Sequence, residues 1–282
     1  MSLLLEPFEL GFMRTALVAA LCVSACCATV GVYVVLRRMA FIGDALAHTM
    51  LPGVVVAYLG GVSLLLGAAL AGVGTALGIG WLSRRDALRE DTAIGVVFTA
   101  LFAVGVLFMS TVRSFRDLSS ILFGNVLGVS ESDLLAIGVV ATMAMLFAIV
   151  FHKELELTSF DPNHARVIGL RPERVRYALL IVLSFTIVAG VQAVGVLLTS
   201  ALLITPAAAA SLLTDRLSRM MLLSVAIAGL SSLVGLYASY YAGVAPGAAI
   251  VVTCTCLFGC AWVLRWMRST RVGRTSAFPS GR

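Results

Sequence analysis

Apolar residues fall in long blocks along this chain, and most of the charged residues sit in the gaps between them. The blocks run close to about 20 residues, enough for a helix to cross the roughly 30 Å hydrocarbon core of a bilayer. Nine such runs are drawn, at 12–36, 41–62, 63–82, 92–110, 133–151, 177–194, 195–213, 220–242 and 247–264. None alternates polar and apolar positions in the manner of a membrane β-strand. Backbone groups in lipid have to be satisfied within their own segment, so each run is predicted to be a helix. The fold class read from the pattern is all-α: a polytopic transmembrane bundle of about nine spans, with roughly 8–10 as the range.

Composition agrees. Of 282 residues 60% are apolar and 12% charged, about half the charged share of a soluble domain, and mean hydropathy is +1.05. The first run follows acidic Glu6 and Glu9 and is too long for a cleavable leader, so it is read as a span. The net charge of +6 would suggest nucleic acid if the cations clustered, but they alternate from gap to gap. With the N-terminus outside, the inner gaps hold Arg37 and Arg38; Arg84, Arg85 and Arg89; Lys153, Arg166, Arg171, Arg174 and Arg176; Arg216 and Arg219; and Arg265, Arg268, Arg271, Arg274 and Arg282. That is 17 cations against three outside, Arg14, Arg113 and Arg116. Such asymmetry orients membrane proteins. It predicts an odd number of spans, an outer N-terminus and a cytoplasmic C-terminus, with the lipid bilayer and no nucleic acid as partner.

No linker or shift in composition divides the chain, so 1–282 is read as a single transmembrane domain. Residues 60–80 hold seven glycines, and Gly74 and Gly78, four apart, predict close helix packing. The cysteines, Cys22, Cys26, Cys27, Cys254, Cys256 and Cys260, lie in the first and last runs. Cys22 with Cys26, and Cys256 with Cys260, share helix faces that a thiolate relay would use; as a group they read as small buried apolar residues. The outer connection 111–132 contains Ser119-Ser120-Ile121-Leu122-Phe123-Gly124-Asn125, too short to span, and reads as an interfacial or re-entrant helix. The inner connection 152–176 contains a short helix fixed at both ends. Asp161 is its N-cap, Pro162 its first position and Gly169 its left-handed stop. Pro172 and Glu173 start the next helix. A plain connector seldom needs both ends fixed, so this helix also reads as a docking element for a motor. The tail 268–282 is rich in Arg, Ser and Gly and is expected to be disordered.

Chemistry has few candidates. Ionisable side chains within spans are costly and mark function by default, and only Asp44 and His48 qualify. Spaced i, i+4, they share a helix face about 6 Å apart. Carboxylate and imidazole suit zinc, manganese or ferrous iron. Two copies across a dimer axis supply two of each, with two negative charges against the ion's two positive ones. A structural role fits the same residues: Asp44 capping the second span or pairing with Arg37 or Arg38, and His48 packed near the cytoplasmic interface. His152 and His164 read as solvated loop residues. Gln192, Thr199, Ser200 and Thr205 are as able to bond back to their own helices as to line a path. No catalytic residue is assigned. An intramembrane aspartyl protease needs a second membrane aspartate, and His-Glu-x-x-His does not occur. Lys153, the only lysine, lies in no phosphate-binding loop, so this chain is not expected to hold ATP in the usual way.

The stretch Arg37-Arg38-Met39-Ala40-Phe41-Ile42-Gly43-Asp44-Ala45-Leu46-Ala47-His48, followed by Leu51-Pro52-Gly53, resembles the signature of the zinc/manganese/iron ABC permeases. Leu122-Phe123-Gly124 before a span, and Leu202-Leu203-Ile204-Thr205-Pro206-Ala207-Ala208-Ala209 in a late one, are similar to segments of that family. Asp161, Ala165 and Gly169 resemble the spacing of its cytoplasmic coupling loop. The resemblance runs from about residue 10 to 265, with the long basic tail and the Arg-rich inner side as departures. It implies a type II ABC importer permease in a bacterial cytoplasmic membrane, dimeric with a second copy or a sister permease. It implies two cytoplasmic ATP-binding subunits and an extracytoplasmic metal-binding protein. It further implies Asp44 and His48 as contacts of a transported Mn2+, Zn2+ or Fe2+ and Asp161, Ala165 and Gly169 as the ATPase-coupling site, with no permanently bound cofactor. An ion-coupled secondary transporter is the alternative reading; it would bring several acidic groups into its spans, which these runs lack.

Overall fold

The computed structural model describes residues 10–83, 89–110 and 128–275, with backbone alone for 269–275. Regular structure among the described residues is nearly all α-helix, without strands. In chain order the helices are α1 (Gly11–Leu36), α2 (Ile42–Thr49), α3 (Leu51–Leu59), α4 (Leu64–Leu82), α5 (Glu90–Ser110), α6 (Glu131–Val150), α7 (His152–Phe160), α8 (Pro162–Val167), α9 (Pro172–Val194), α10 (Val196–Leu213), α11 (Leu217–Ala242) and α12 (Pro246–Thr275). With α2 and α3 taken together, nine stretches among the described residues are long and apolar enough to cross a membrane. They correspond to the nine runs read from the sequence.

The ends differ where local chemistry extends a helix. The sixth span starts at Pro172 rather than near 177, because Pro172 fits the first helical turn. The last helix continues to Thr275, so 268–275 is helical where disorder was expected. A long apolar helix has already passed nucleation, and adding residues to its end is inexpensive. Residues 111–127, with Arg113, Arg116 and Leu122-Phe123-Gly124, lie outside the described residues, as do Arg84, Arg85 and 276–282. The inner connection holds one more helix than expected, α7, ahead of the capped α8.

The second span is broken. Its halves α2 and α3 meet at Met50, where a continuous helix over 41–62 was expected. Pro52 has no N–H to give the carbonyl of His48, and its ring crowds that turn. The helix therefore ends and restarts beside Asp44 and His48.

Helix α1 is central, packed by α6, α9, α10 and α11. Its buried residues are mostly small, among them Ala16, Ala19, Ala20, Val23 and Ala28, and close approach of backbones is what stabilises helix pairs in lipid. At Gly31 a Cβ would overlap the carbonyl of Leu203, so α1 and α10 touch main chain to main chain. Between α1 and α11, Ser24 and Ser232 share a hydrogen bond of 2.5 Å, and Ser224 Oγ donates to the Ala28 carbonyl at 3.0 Å. The expected close-packing pair, Gly74 and Gly78, is not at an interface within the protomer: no atom lies within 4 Å of a Cβ built at either. The inward face of α4 is set by Gly72, Thr75, Ala76, Ile79 and Gly80. Gly72 and Gly80 meet Ser184 and Tyr177 of α9, and Gly67 meets Gly53 of α3. The buried-cysteine expectation fits Cys26, Cys27 and Cys254, whereas Cys256 and Cys260 are exposed on α12.

Candidate functional site

The connection from α1 into α2 fixes the site. Arg37 ends α1, and Arg38 adopts a left-handed φ of 60°. Arg38 N–H bonds Val35 O and Met39 N–H bonds Val34 O, the Schellman pattern, with buried Met39 close behind. An arginine in that conformation costs about 1 kcal/mol or more, so the turn is held by its surroundings. Arg37 donates from Nε to Ser159 Oγ at 3.1 Å and from Nη2 to Thr158 Oγ1 at 2.8 Å, tying α1 to α7. Burial pulls its pKa below the usual guanidinium range. Arg37, one of the two arginines thought available to Asp44, is therefore engaged elsewhere.

Helix α2 packs among α4, α5, α9 and α10. Ile42, Gly43, Ala45, Leu46 and Ala47 are buried, and the remaining face turns Asp44 outward. Asp44 lies inside the first turn, beyond the N-cap position at Phe41, which corrects the capping alternative. Its carboxylate has no hydrogen bond or ion pair among the described residues. One turn on, half-buried His48 meets Phe98 and Phe102 of α5, with ring centroids 5.9 Å and 5.4 Å away and the second contact edge-on. The two phenyl rings stack at 5.7 Å. His48 Nδ1 is buried without a partner, a condition that costs about 1–3 kcal/mol. Ser200 Oγ of α10 is likewise buried and unpartnered. Thr199 bonds back to the carbonyl of Gly195 in its own helix, at 2.7 Å.

Chemically, Asp44 presents a carboxylate on the exposed face, and one turn on His48 carries a buried ring nitrogen without a partner among the described residues. No group of three or more His, Cys, Asp and Glu side chains able to hold an ion occurs among the described residues. The described residues of one chain therefore supply an incomplete ligand set. The phenylalanines were missed in the sequence. Their i, i+4 spacing was visible, but only the α2–α5 contact identifies what they hold.

In the connection 152–176, Asp161 Oδ1 accepts from His164 N–H at 2.9 Å, capping α8. Gly169, at φ 88°, ends it: Gly169 N–H bonds Arg166 O and Leu170 N–H bonds Ala165 O. Ala165 is fully buried and anchors α8. The surface offered outward mixes apolar and polar residues: Val167 is 83% exposed, Phe160 62% and Ile168 55%, beside exposed Asn163, His164 and Arg166. None of these three was singled out by motif. His152 is not the solvated residue expected. Its Nδ1 is 3.2 Å from Tyr33 Oη and its Nε2 3.3 Å from Ser218 Oγ, so it links α7 to α1 and α11. His164 is exposed, as expected.

Comparison with known proteins gives a consistent set. The model of the ABC 3 transport family matches residues 9–265. The manganese transport system membrane protein MntC of Listeria innocua is 40% identical over 250 residues, covering 89% of each chain. The chelated iron transport system membrane protein YfeD of Yersinia pestis is 38% identical over 251 residues, covering 89% of this chain and 84% of that one. Among solved structures, PsaBC from Streptococcus pneumoniae in complex with Fab superposes with a TM-score of 0.81 at 33% identity, over 92% of this chain and 94% of that one.

Proposed function

The chain belongs to the ABC 3 transport family, and we propose that it is the membrane-spanning permease of a bacterial ABC importer that carries a divalent transition metal into the cell. Relatives named for manganese and for chelated iron support that cargo, and the donor set of Asp44 and His48 accommodates Mn2+, Fe2+ or Zn2+ alike. The chain forms one transmembrane domain with its N-terminus outside and its C-terminus in the cytoplasm, in the cytoplasmic membrane. It works with a second copy or a sister permease, two cytoplasmic ATP-binding subunits and an extracytoplasmic metal-binding protein.

The observation that carries this reading is the exposed carboxylate of Asp44 on a spanning helix, without a partner among the described residues. Asp44 lies in the first turn of its span, where a charge costs less than the roughly 2.5–3.5 kcal/mol of mid-membrane, yet an ionised side chain in a spanning helix still turns toward polar company. That face therefore belongs against a partner permease and a polar path. Across a two-fold axis, two carboxylates and two imidazoles complete four-coordination and neutralise a divalent ion. A set split between protomers is also readily loosened when they move apart, which suits release to the inside. The helix break at Met50–Pro52 lies next to this pair, and the end of α7, α8 and its C-cap present Phe160, Val167 and Ile168 for the ATPase whose cycle drives the motion.

The test is uptake of radiolabelled manganese or ferrous iron by proteoliposomes holding matched amounts of permease–ATPase complex, wild type or Asp44→Asn. Asn keeps size and hydrogen-bonding capacity and removes the charge. Uptake is expected to fall at least about a hundredfold, more than for His48→Leu, because a divalent ion in a low-dielectric path needs charge compensation beyond a lone pair. Near-normal uptake by Asp44→Asn removes the pair from the pathway.

A further inference from the structure

A groove of about 750 Å3 opens between the inner end of α4 and the turn from α8 into α9, within the roughly 300–1,000 Å3 typical of ligand sites. Its two walls differ in kind. One consists of Leu77, Trp81 and Tyr177, at the ends of spanning helices; the other carries Arg166, Arg171 and Arg174. Glu173 also lines it, so three cations face one anion. Arg166 reaches Asn163 Oδ1 at 3.3 Å, and no ion pair holds Arg171 or Arg174 among the described residues. The first turn of α9, opened by Pro172, adds the positive end of a 23-residue helix. Forked guanidinium donors around a helix N-terminus are suited to phosphate.

The apolar wall continues outward along α4. Leu66, Leu70, Leu77 and Trp81 are 56%, 74%, 43% and 69% exposed. Between them Gly74 and Gly78 leave a notch with open space beside each Cα. This is the glycine pair whose spacing predicted close packing and which no helix among the described residues covers. A tryptophan at the boundary between such a wall and a cationic rim sits where membrane-interface aromatics gather.

We propose that this groove binds one anionic phospholipid of the cytoplasmic leaflet, with its phosphate held by Arg166, Arg171 and Arg174 and one acyl chain laid in the Gly74–Gly78 notch of α4. A soluble subunit matches only the cationic half, because the other half continues into the exposed apolar face of a spanning helix; a charged amphiphile matches both. The proposal goes beyond the transport function and depends only on the inner position of residues 152–176.

The test is native mass spectrometry of the permease–ATPase complex titrated with dioleoylphosphatidylglycerol or dioleoylphosphatidylcholine. One phosphatidylglycerol per permease is expected to survive, in preference to phosphatidylcholine. The Arg171→Gln/Arg174→Gln variant is expected to bind it at least about tenfold more weakly, and Arg171→Lys/Arg174→Lys to retain most of the affinity, which separates lost charge from misfolding. Gly74→Leu, which fills the notch, is expected to weaken the diacyl lipid and leave glycerol phosphate binding unchanged. Equal retention of the two lipids, or of phosphatidylglycerol by wild type and the Gln variant, overturns the proposal. A silent Gly74→Leu combined with displacement by millimolar inorganic phosphate identifies a site for free anions and overturns it as well. Loss of the ATPase from the Gln variant with lipid retention intact makes the groove a protein-docking surface, which also overturns it.

Discussion

At the scale of single residues, the imidazole of His48 is useful to a passing ion only if it points the right way. Phe98 and Phe102 grip its ring from α5, and Nδ1 is left without a hydrogen bond that would compete with a metal. Truncating Phe102 to Ala removes the edge-on contact, and the ring gains rotamers that turn its nitrogens away. Uptake by the Phe102→Ala complex is expected to fall about three- to tenfold with ATPase association unchanged, and Phe102→Leu to recover part of it. The half-maximal metal concentration separates this positioning role from a general packing defect, since only lost ligand orientation should raise it. Equal loss with an unchanged half-maximal concentration assigns Phe102 to packing alone.

At the scale of elements, α8 shows how a helix of six residues is kept in shape. So short a helix is marginal by itself. Asp161 and Gly169 fix its two ends, and buried Ala165 holds it to its neighbours. Replacing Asp161 with Ala removes a cap worth about 1 kcal/mol. Gly169→Val puts a β-branched residue at φ 88°, a region such residues resist. Both variants are expected to insert normally yet bind the ATPase more weakly, with Gly169→Val the more severe, as read by copurification and metal-stimulated ATP hydrolysis. Normal copurification and normal stimulation would remove α8 from coupling. The broken second span makes the complementary point: a proline that interrupts one backbone bond sets apart the turn bearing His48 from the helix above it.

At the scale of the molecule, the distribution of cations and the packing of α1 work together. Seventeen of 20 cationic residues fall on one side when the spans alternate, and that side carries α7, α8 and the groove rim. Arg176 also closes the inner ends of three helices, with Nε 3.1 Å from Glu90 Oε1 of α5 and Nη2 donating to Gly80 O of α4 at 3.3 Å. Reporter fusions near residues 165 and 216 are therefore expected to give cytoplasmic signals, and a fusion after 268 likewise. A periplasmic signal near 165 would reverse the topology, displacing both the coupling helix and the lipid groove from the cytoplasmic side.

What the sequence determined by itself is what one-dimensional physics can carry. Runs of apolar residues long enough to cross a bilayer set nine spans, and alternating basic gaps set their expected direction. Asp161, Pro162 and Gly169 set a short helix because caps and left-handed stops act over a few residues. Asp44 and His48 were legible as a candidate pair because charge within such runs is rare. The tertiary structure decided which faces meet. It turned Gly74 and Gly78 outward and made Gly53, Gly67, Gly72 and Gly80 the close contacts, since a four-residue spacing specifies a face without specifying its partner. It engaged Arg37 with α7, gave His152 a bridging role and brought Phe98 and Phe102 to His48 from a different span. Each of these depends on contacts between residues far apart in the chain, and periodicity holds no record of which helices are neighbours in space.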